Sequence, residues 1–149
     1  MEKPIIYVAG PLFTEYHRKH IEEIGAVCEK AGSKGRAGGG GFIAYLPHKN
    51  AGVFKRDCPS RPFFEKDLKA MDSCSACVAL LDGLDVDSGT AFEIGYLYSK
   101  GIPIIGFLND SRIFDQKKQL NLMISNSCVE IVSSLEELEE KLTELKAKA

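Results

Sequence analysis

Short apolar runs recur along this chain with helical segments between them, and that alternation limits what it can fold into more than any other feature. The runs are residues 4–9 (PIIYVA), 42–47 (FIAYLP), 77–82 (CVALLD) and 102–108 (IPIIGFL). Each is too short for a buried helix and is rich in β-branched or aromatic residues, so each reads as a buried strand. The first stops at Gly10-Pro11 and the second at Pro47, residues that break a ladder. From Thr14 to Ala31, Ile21, Ile24, Val27 and Cys28 recur at helical spacing, with Thr14 placed to cap the start. Further helices are expected over 61–73, 88–100 and the C-terminal SLEELEEKLTELKAK, with a weak strand at 128–132. The segment GSKGRAGGGG (32–41) has too much glycine for regular structure and reads as a flexible surface loop, and HKNAGVFKRDCPS after the second strand reads as another.

The resulting order is β-α-β-α-β-α-β-x-β-α. Strands that alternate with helices require a parallel sheet with right-handed crossovers and helices on both faces. The expected fold class is therefore α/β: a doubly wound, flavodoxin-like sheet of five parallel strands, built as one domain over residues 1–149. A chain of this length buries ~70% of its unfolded surface.

Charge narrows the function classes. A formal net charge of −2 and a pI near 5.9 offer no basic field for a polyphosphate backbone, so a small ligand suits the chain better than a nucleic-acid polymer. The opening MEKPIIYVAG is too weakly apolar for a signal peptide, and no apolar run approaches ~18 residues, so neither secretion nor membrane insertion is expected. A cytoplasmic location follows, with the five cysteines (Cys28, Cys58, Cys74, Cys77 and Cys128) reduced and mostly serving as small buried hydrophobes.

In a doubly wound sheet, ligands bind outside the carboxyl ends of the strands where strand order reverses. That directs attention to Ala9–Phe13, Pro47–Asn50, Asp82–Gly89 and Leu108–Asp110. Glu93 lies just beyond the third of these, in a helix whose neighbours Ala91, Phe92, Ile94, Gly95, Tyr96, Leu97 and Tyr98 are apolar on almost every side. Such a helix should be buried between the sheet and a second surface. A carboxylate there is costly unless it is paired with a cation or used chemically; its position near the ligand crevice favours use. Asp82, Asp85 and Asp87 crowd the preceding loop. They can simply solvate it, with Asp87 or Ser88 capping the helix, while Gly89 lets a ligand approach the backbone.

The 61–73 helix runs antiparallel to the strand after it, so its first half lies nearest the crevice. Asp67 can reach that crevice, whereas Asp72 is carried to the opposite rim as a surface charge. Two carboxyls in one crevice suit glycosidic chemistry, in which one attacks the anomeric carbon and the other, with a raised pKa, protonates the leaving group. Other signals are weaker. Cys74-x-x-Cys77 has no second pair and begins a strand, and His17 and His20 have no evident third ligand, so both histidines are expected to face solvent and no metal or redox cofactor is expected. The glycine run lacks the Lys-Ser/Thr ending of a phosphate loop.

These residues bring a family into view. Residues 7–13 (YVAGPLF) and 87–96 (DSGTAFEIGY) resemble the opening loop and the signature of the nucleoside 2-deoxyribosyltransferases, and the similarity runs along nearly the whole chain. By that resemblance Glu93 is the nucleophile on the sugar of a 2′-deoxynucleoside, Asp67 is the acid that assists the departing base, and Asp87 holds a sugar hydroxyl. Tyr7, Gly10 and Phe13 would border sugar and base, with Ser88 and Gly89 beside Asp87 in the substrate site. Residues 121–124 (NLMI) are similar to a further motif, whose asparagine, here Asn121, enters the active site of a neighbouring subunit; Met123 of the same motif is expected among the substrate-binding residues. The resemblance thus implies a homo-oligomer with shared sites, acting on a deoxynucleoside and a free nucleobase. A related group of deoxynucleoside 5′-monophosphate hydrolases shares the glutamate but generally has serines where Asp87 and Asn121 stand, and a carboxylate would repel a 5′-phosphate. Base exchange is the leading expectation, and hydrolysis of nucleosides or their monophosphates the alternative.

Overall fold

The computed structural model describes residues 2–32, 40–110 and 120–148. Five strands, β1 (Ile5–Ala9), β2 (Ile43–Tyr45), β3 (Ala76–Leu80), β4 (Ile104–Phe107) and β5 (Glu130–Val132), form one parallel sheet in the order β2-β1-β3-β4-β5. This is the expected doubly wound flavodoxin-like topology. The chain moves outward from β1 to β2 and then returns across β1 to β3, so the order reverses between β1 and β3.

The helices are α1 (Glu15–Lys30), α2 (Pro47–Asn50), α3 (Arg61–Ser73), α4 (Ser88–Ser99), α5 (Leu122–Ser125) and α6 (Leu135–Lys148). Alternation along β1 sends Ile6 and Val8 to one side and Tyr7 and Ala9 to the other. The first pair packs with Ile21, Ile24 and Cys28 of α1 and Leu138 and Leu142 of α6. The second packs with Ala70 and Met71 of α3 and Ile94 and Leu97 of α4. Each large aliphatic side chain buried in these layers contributes about 1.5–3 kcal/mol before entropy is counted. Among the described residues no helix is long and apolar enough to cross a membrane.

Local signals set the ends of α1. The Thr14 hydroxyl accepts a bond from the His17 amide at 3.1 Å, satisfying one otherwise unpaired N–H of the first turn. At the other end Gly41 returns against the helix with φ +73, where a Cβ would lie 1.7 Å from the Glu29 carbonyl oxygen. Only glycine fits such a position. Residues 33–39 of the expected flexible loop lie outside the described residues, but its end at Gly41 is closely packed and hydrogen-bonded to the Ala31 carbonyl at 3.1 Å.

Several expectations need correction. The second strand is three residues long, and the segment after it opens with a short helix, α2, in place of a loop. Pro47 at the first helical position loses no hydrogen bond there, and Asn50 Oδ1 accepts the Leu46 amide at 2.8 Å. Another short helix, α5, stands where only a connection was expected; Asn121 caps it by accepting the Met123 amide at 2.9 Å. Helix α4 is not enclosed on all sides: Ile94 and Leu97 are buried, but Phe92 and Tyr98 are 52% and 59% exposed. Sequence apolarity reports the environment a helix prefers, and the described residues cover only one face of this one. His17 and His20 are half-buried, not solvent-facing. Helix α1 crosses the strand ends there, and the His20 ring sits edge-on to Phe107 with centroids 5.6 Å apart.

All five cysteines are free thiols; Cys28, Cys74 and Cys77 are buried and the other two are partly so. Asp72 is on the surface as expected, where it accepts a bond from the Tyr96 hydroxyl at 2.5 Å and pairs with Lys100.

Candidate active site

At the carboxyl ends of β1 and β2 lies a cavity of about 360 Å³, lined by Gly10, Pro11, Leu12 and Phe13 from the loop after β1 and by Asp67, Asp87 and Glu93 from the α3–α4 side. The remaining wall comes from Arg18, Pro47, His48, Gly52 and the apolar group Val53, Phe54 and Phe63. A half-polar, half-aromatic cavity of this size matches a small ligand with one flat apolar part and one hydroxylated part.

Glu93 stands in the second turn of α4, and the helix begins where the Asp87 side chain accepts bonds from the Thr90 amide at 3.0 Å and the Thr90 hydroxyl at 3.2 Å. Both bonds fall on Asp87 Oδ2, and Oδ1 has no hydrogen-bond partner among the described residues. Glu93 Oε2 is buried with no hydrogen-bond partner among the described residues. Its carboxyl is pushed up to about 8, chiefly because burial disfavours the charged form and secondarily because Asp67 and Asp87 repel it; a hydrogen bond from Tyr7 acts the other way. No lysine or arginine among the described residues pairs with it, so the structural alternative of a buried salt bridge has no partner here.

Tyr7 forms the floor beneath Glu93. It is almost wholly buried in β1, and its phenol is held far above its usual range, first by burial and then by the nearby Glu93 and Asp67. Asp67 is raised as well, by burial, against the opposing effect of a bond from Tyr45. The Tyr45 hydroxyl donates to Asp67 Oδ1 at 2.9 Å. Gly10 lies where β1 turns into the cavity wall: a Cβ there would meet Ile21 Cδ1 at 2.5 Å and Leu80 Cβ at 3.0 Å.

Asp67, Asp87, Glu93, Gly10 and Phe13 therefore share one cavity, with Tyr7 beneath it. Ser88 and Gly89 are exposed at the start of α4, beside Asp87 but off the cavity wall. Asn121 and Met123 lie elsewhere in the same chain. Met123 and Leu122, 69% and 68% exposed, border a second, apolar cavity of about 440 Å³ against Ala91, Ile94, Gly95 and Tyr98 of α4.

Sequence reasoning did not single out Tyr45, Arg18, Phe54 or Phe63. The Arg18 guanidinium lines the cavity and donates to the Leu12 carbonyl at 2.9 Å. His48 was flagged only as part of a loop; it is buried, with Nε2 2.9 Å from Glu22 Oε1 and Nδ1 without a partner among the described residues. Tyr45 carried no signal in the sequence, because only the β1–β2 register puts it on the same side of the sheet as Tyr7.

The carboxyls stand over the strand ends of a doubly wound α/β sheet, the region where proteins of this fold class bind ligands. A sequence model of the nucleoside 2-deoxyribosyltransferases matches residues 6–123, and the chain belongs to that family. It is 32% identical over 122 residues to an uncharacterised protein of Schizosaccharomyces pombe, covering 76% of this chain. The chain spans about half the length, 54%, of that curated relative. Among solved structures, a conserved protein of Enterococcus faecalis is similar with 29% identity and a TM-score of 0.71, covering 97% of this chain and 99% of that one. A 2-deoxyribosyltransferase of Bacillus psychrosaccharolyticus shares the fold, with 24% identity, a TM-score of 0.70 and coverage of 93% and 95%.

Proposed function

We propose that this protein exchanges the base of 2′-deoxynucleosides through a covalent deoxyribosyl intermediate on Glu93. The observation that carries this reading is the Glu93 carboxyl itself: half-buried as a side chain, with Oε2 fully buried and, among the described residues, with neither a cationic partner nor a hydrogen bond to that oxygen, beside a second carboxyl in the same cavity. In the first step an oxygen of Glu93 in its ionised, carboxylate form bonds to C1′ as the C1′–N bond breaks, the electron pair of that bond passing to the base nitrogen while Asp67 delivers a proton to the base. In the second, a nitrogen of the incoming base attacks C1′, the Glu93 ester oxygen leaves as carboxylate, and the proton of that nitrogen returns to Asp67. Two displacements give retention at C1′. The reaction is balanced without a metal or redox cofactor.

The remaining residues fit around this chemistry. Tyr7 donates to the ionised form of Glu93 and so favours the nucleophile. The free Oδ1 of Asp87 accepts a bond from a sugar hydroxyl, with Ser88 and Gly89 shaping the approach, while Gly10 and Phe13 border the sugar and base. A sugar without a 2′-hydroxyl reaches its oxocarbenium-like transition state more readily. The five free thiols suit a reducing compartment, and we place the reaction in the cytoplasm.

We assign Asn121 and Met123 to the cavity of a second copy of the chain, since both lie outside the cavity of their own and next to an uncovered apolar face of α4. Mixing two inactive variants, Glu93→Gln and Asn121→Ala, should then restore about a quarter of native activity through mixed dimers, as expected when each site draws on two subunits. No recovery on mixing would place Asn121 outside the site.

The activity is tested by incubating the protein with deoxyinosine and then adding adenine or cytosine, with products separated by chromatography. A new deoxynucleoside that forms only with acceptor base and intact Glu93 is the expected result. Free deoxyribose at the same rate with or without acceptor would make the protein a hydrolase, and an uncleaved glycosidic bond would remove the proposal.

A further inference from the structure

Tyr7 and Tyr45 are register partners on adjacent parallel strands, β1 and β2. Side chains at paired positions of a parallel ladder leave the sheet on the same face, and here the rings stack, with centroids 5.4 Å apart and planes inclined by 16°. Each phenol faces a different carboxyl: Tyr45 donates to Asp67 at 2.9 Å, and Tyr7 lies beside Glu93, whose ionised form it favours. The two carboxyls sit on separate helices, α4 and α3, yet both adjoin one stacked pair of rings on the sheet.

We infer that Tyr45 is a positioning residue for the proposed reaction: by donating to Asp67 Oδ1 from a ring clamped against Tyr7, it holds the Asp67 carboxyl in one rotamer and leaves Oδ2 as the oxygen that carries the transferable proton. The inference rests on the glycosidic reading above and adds a residue to it. Three points support it. An Oδ1 that already accepts a bond is the poorer site for a proton, so the proton resides on Oδ2. The stack makes the donor rigid, since an aromatic pair in contact on a sheet loses little freedom when the hydroxyl bonds. The bond also acts on the ionised form of Asp67, opposing the burial that raises its pKa, so Tyr45 limits how tightly the acid holds its proton. An acid held too tightly is as poor a proton donor as one that is empty.

Tyr45→Phe keeps the ring and its stack and removes only the hydroxyl, which makes it the informative variant. In a 13C-carboxyl titration, with the Asp67 signal assigned by its loss in Asp67→Asn, the Asp67 midpoint should move to higher pH in Tyr45→Phe. A purely structural role for the hydroxyl would leave that midpoint where it is. In the base-exchange assay kcat should fall about tenfold with KM little changed, the pattern for a proton donor displaced from its working geometry. Combining Tyr45→Phe with Asp67→Asn should cost nothing beyond Asp67→Asn alone, because the hydroxyl acts only through that carboxyl. An unmoved Asp67 midpoint, or losses that multiply in the double variant, would overturn the inference. Should the native protein cleave no deoxynucleoside, the functional reading fails on its own terms, and the titration still decides whether Tyr45 controls Asp67.

Discussion

Replacing Glu93 with glutamine is expected to lower base exchange by about 10³-fold or more while making the folded protein more stable at alkaline pH. The loss follows from removing a nucleophile that no other group in the cavity can replace. The stability gain follows from the sign of the carboxyl's shift. In the unfolded chain this glutamate ionises near its ordinary value of 4.5, whereas in the fold it stays neutral up to about 8. Unfolding therefore releases a proton throughout that interval, and the native state loses stability relative to the unfolded chain as pH rises from 4.5 to 8. Glutamine has no such charge to bury. Thermal melts of the two proteins should coincide near pH 4.5 and separate progressively, with the variant ahead by roughly 2–3 kcal/mol above pH 8, less than the full shift would imply because the side chain is only half-buried. A variant that is less stable than the native protein at pH 9 would mean that Glu93 has a favourable partner when charged.

Asp67→Asn is expected to cost about 10²–10³-fold in kcat, the usual effect of removing a general acid. Asparagine retains the shape and can donate a hydrogen bond, but it cannot surrender a proton to the departing base. The size of the loss should depend on the base. With 7-methyl-2′-deoxyguanosine, whose cationic base leaves as a neutral molecule without taking up a proton, the same variant should lose less than about tenfold. Single-turnover release of each base, followed by absorbance, separates the two cases. Equal losses on both substrates would show that Asp67 binds or orients the nucleoside and does not protonate it. This contrast differs from the Glu93 result, where the loss should be the same whichever base departs.

The strand–helix alternation was readable because both periods are short-range and the central strands β1, β3 and β4 are buried on both faces, so their apolar runs stand out from the helices around them. The positions of Glu93 and Asp67 could also be inferred, since helix direction in a doubly wound sheet determines which end of α3 and α4 faces the crevice. The short helices α2 and α5 were not seen: four residues carry too little periodicity to register, and each depends on one side-chain bond, from Asn50 or Asn121. The enclosure expected of α4 was an inference about surroundings, and the described residues supply those surroundings on one face only.

The sequence by itself determined the doubly wound order, the crevice and the two carboxyls that face it, because these follow from local periodicity and from the handedness and direction of crossovers. Only the tertiary structure decided how those carboxyls are held. The β1–β2 register brings Tyr7 and Tyr45, 38 positions apart in the sequence, into one stack, and burial beside that stack raises the pKa of Glu93. Neither effect has a local signature, since both arise from distances and solvent exclusion between segments whose spacing along the chain says nothing of their contact.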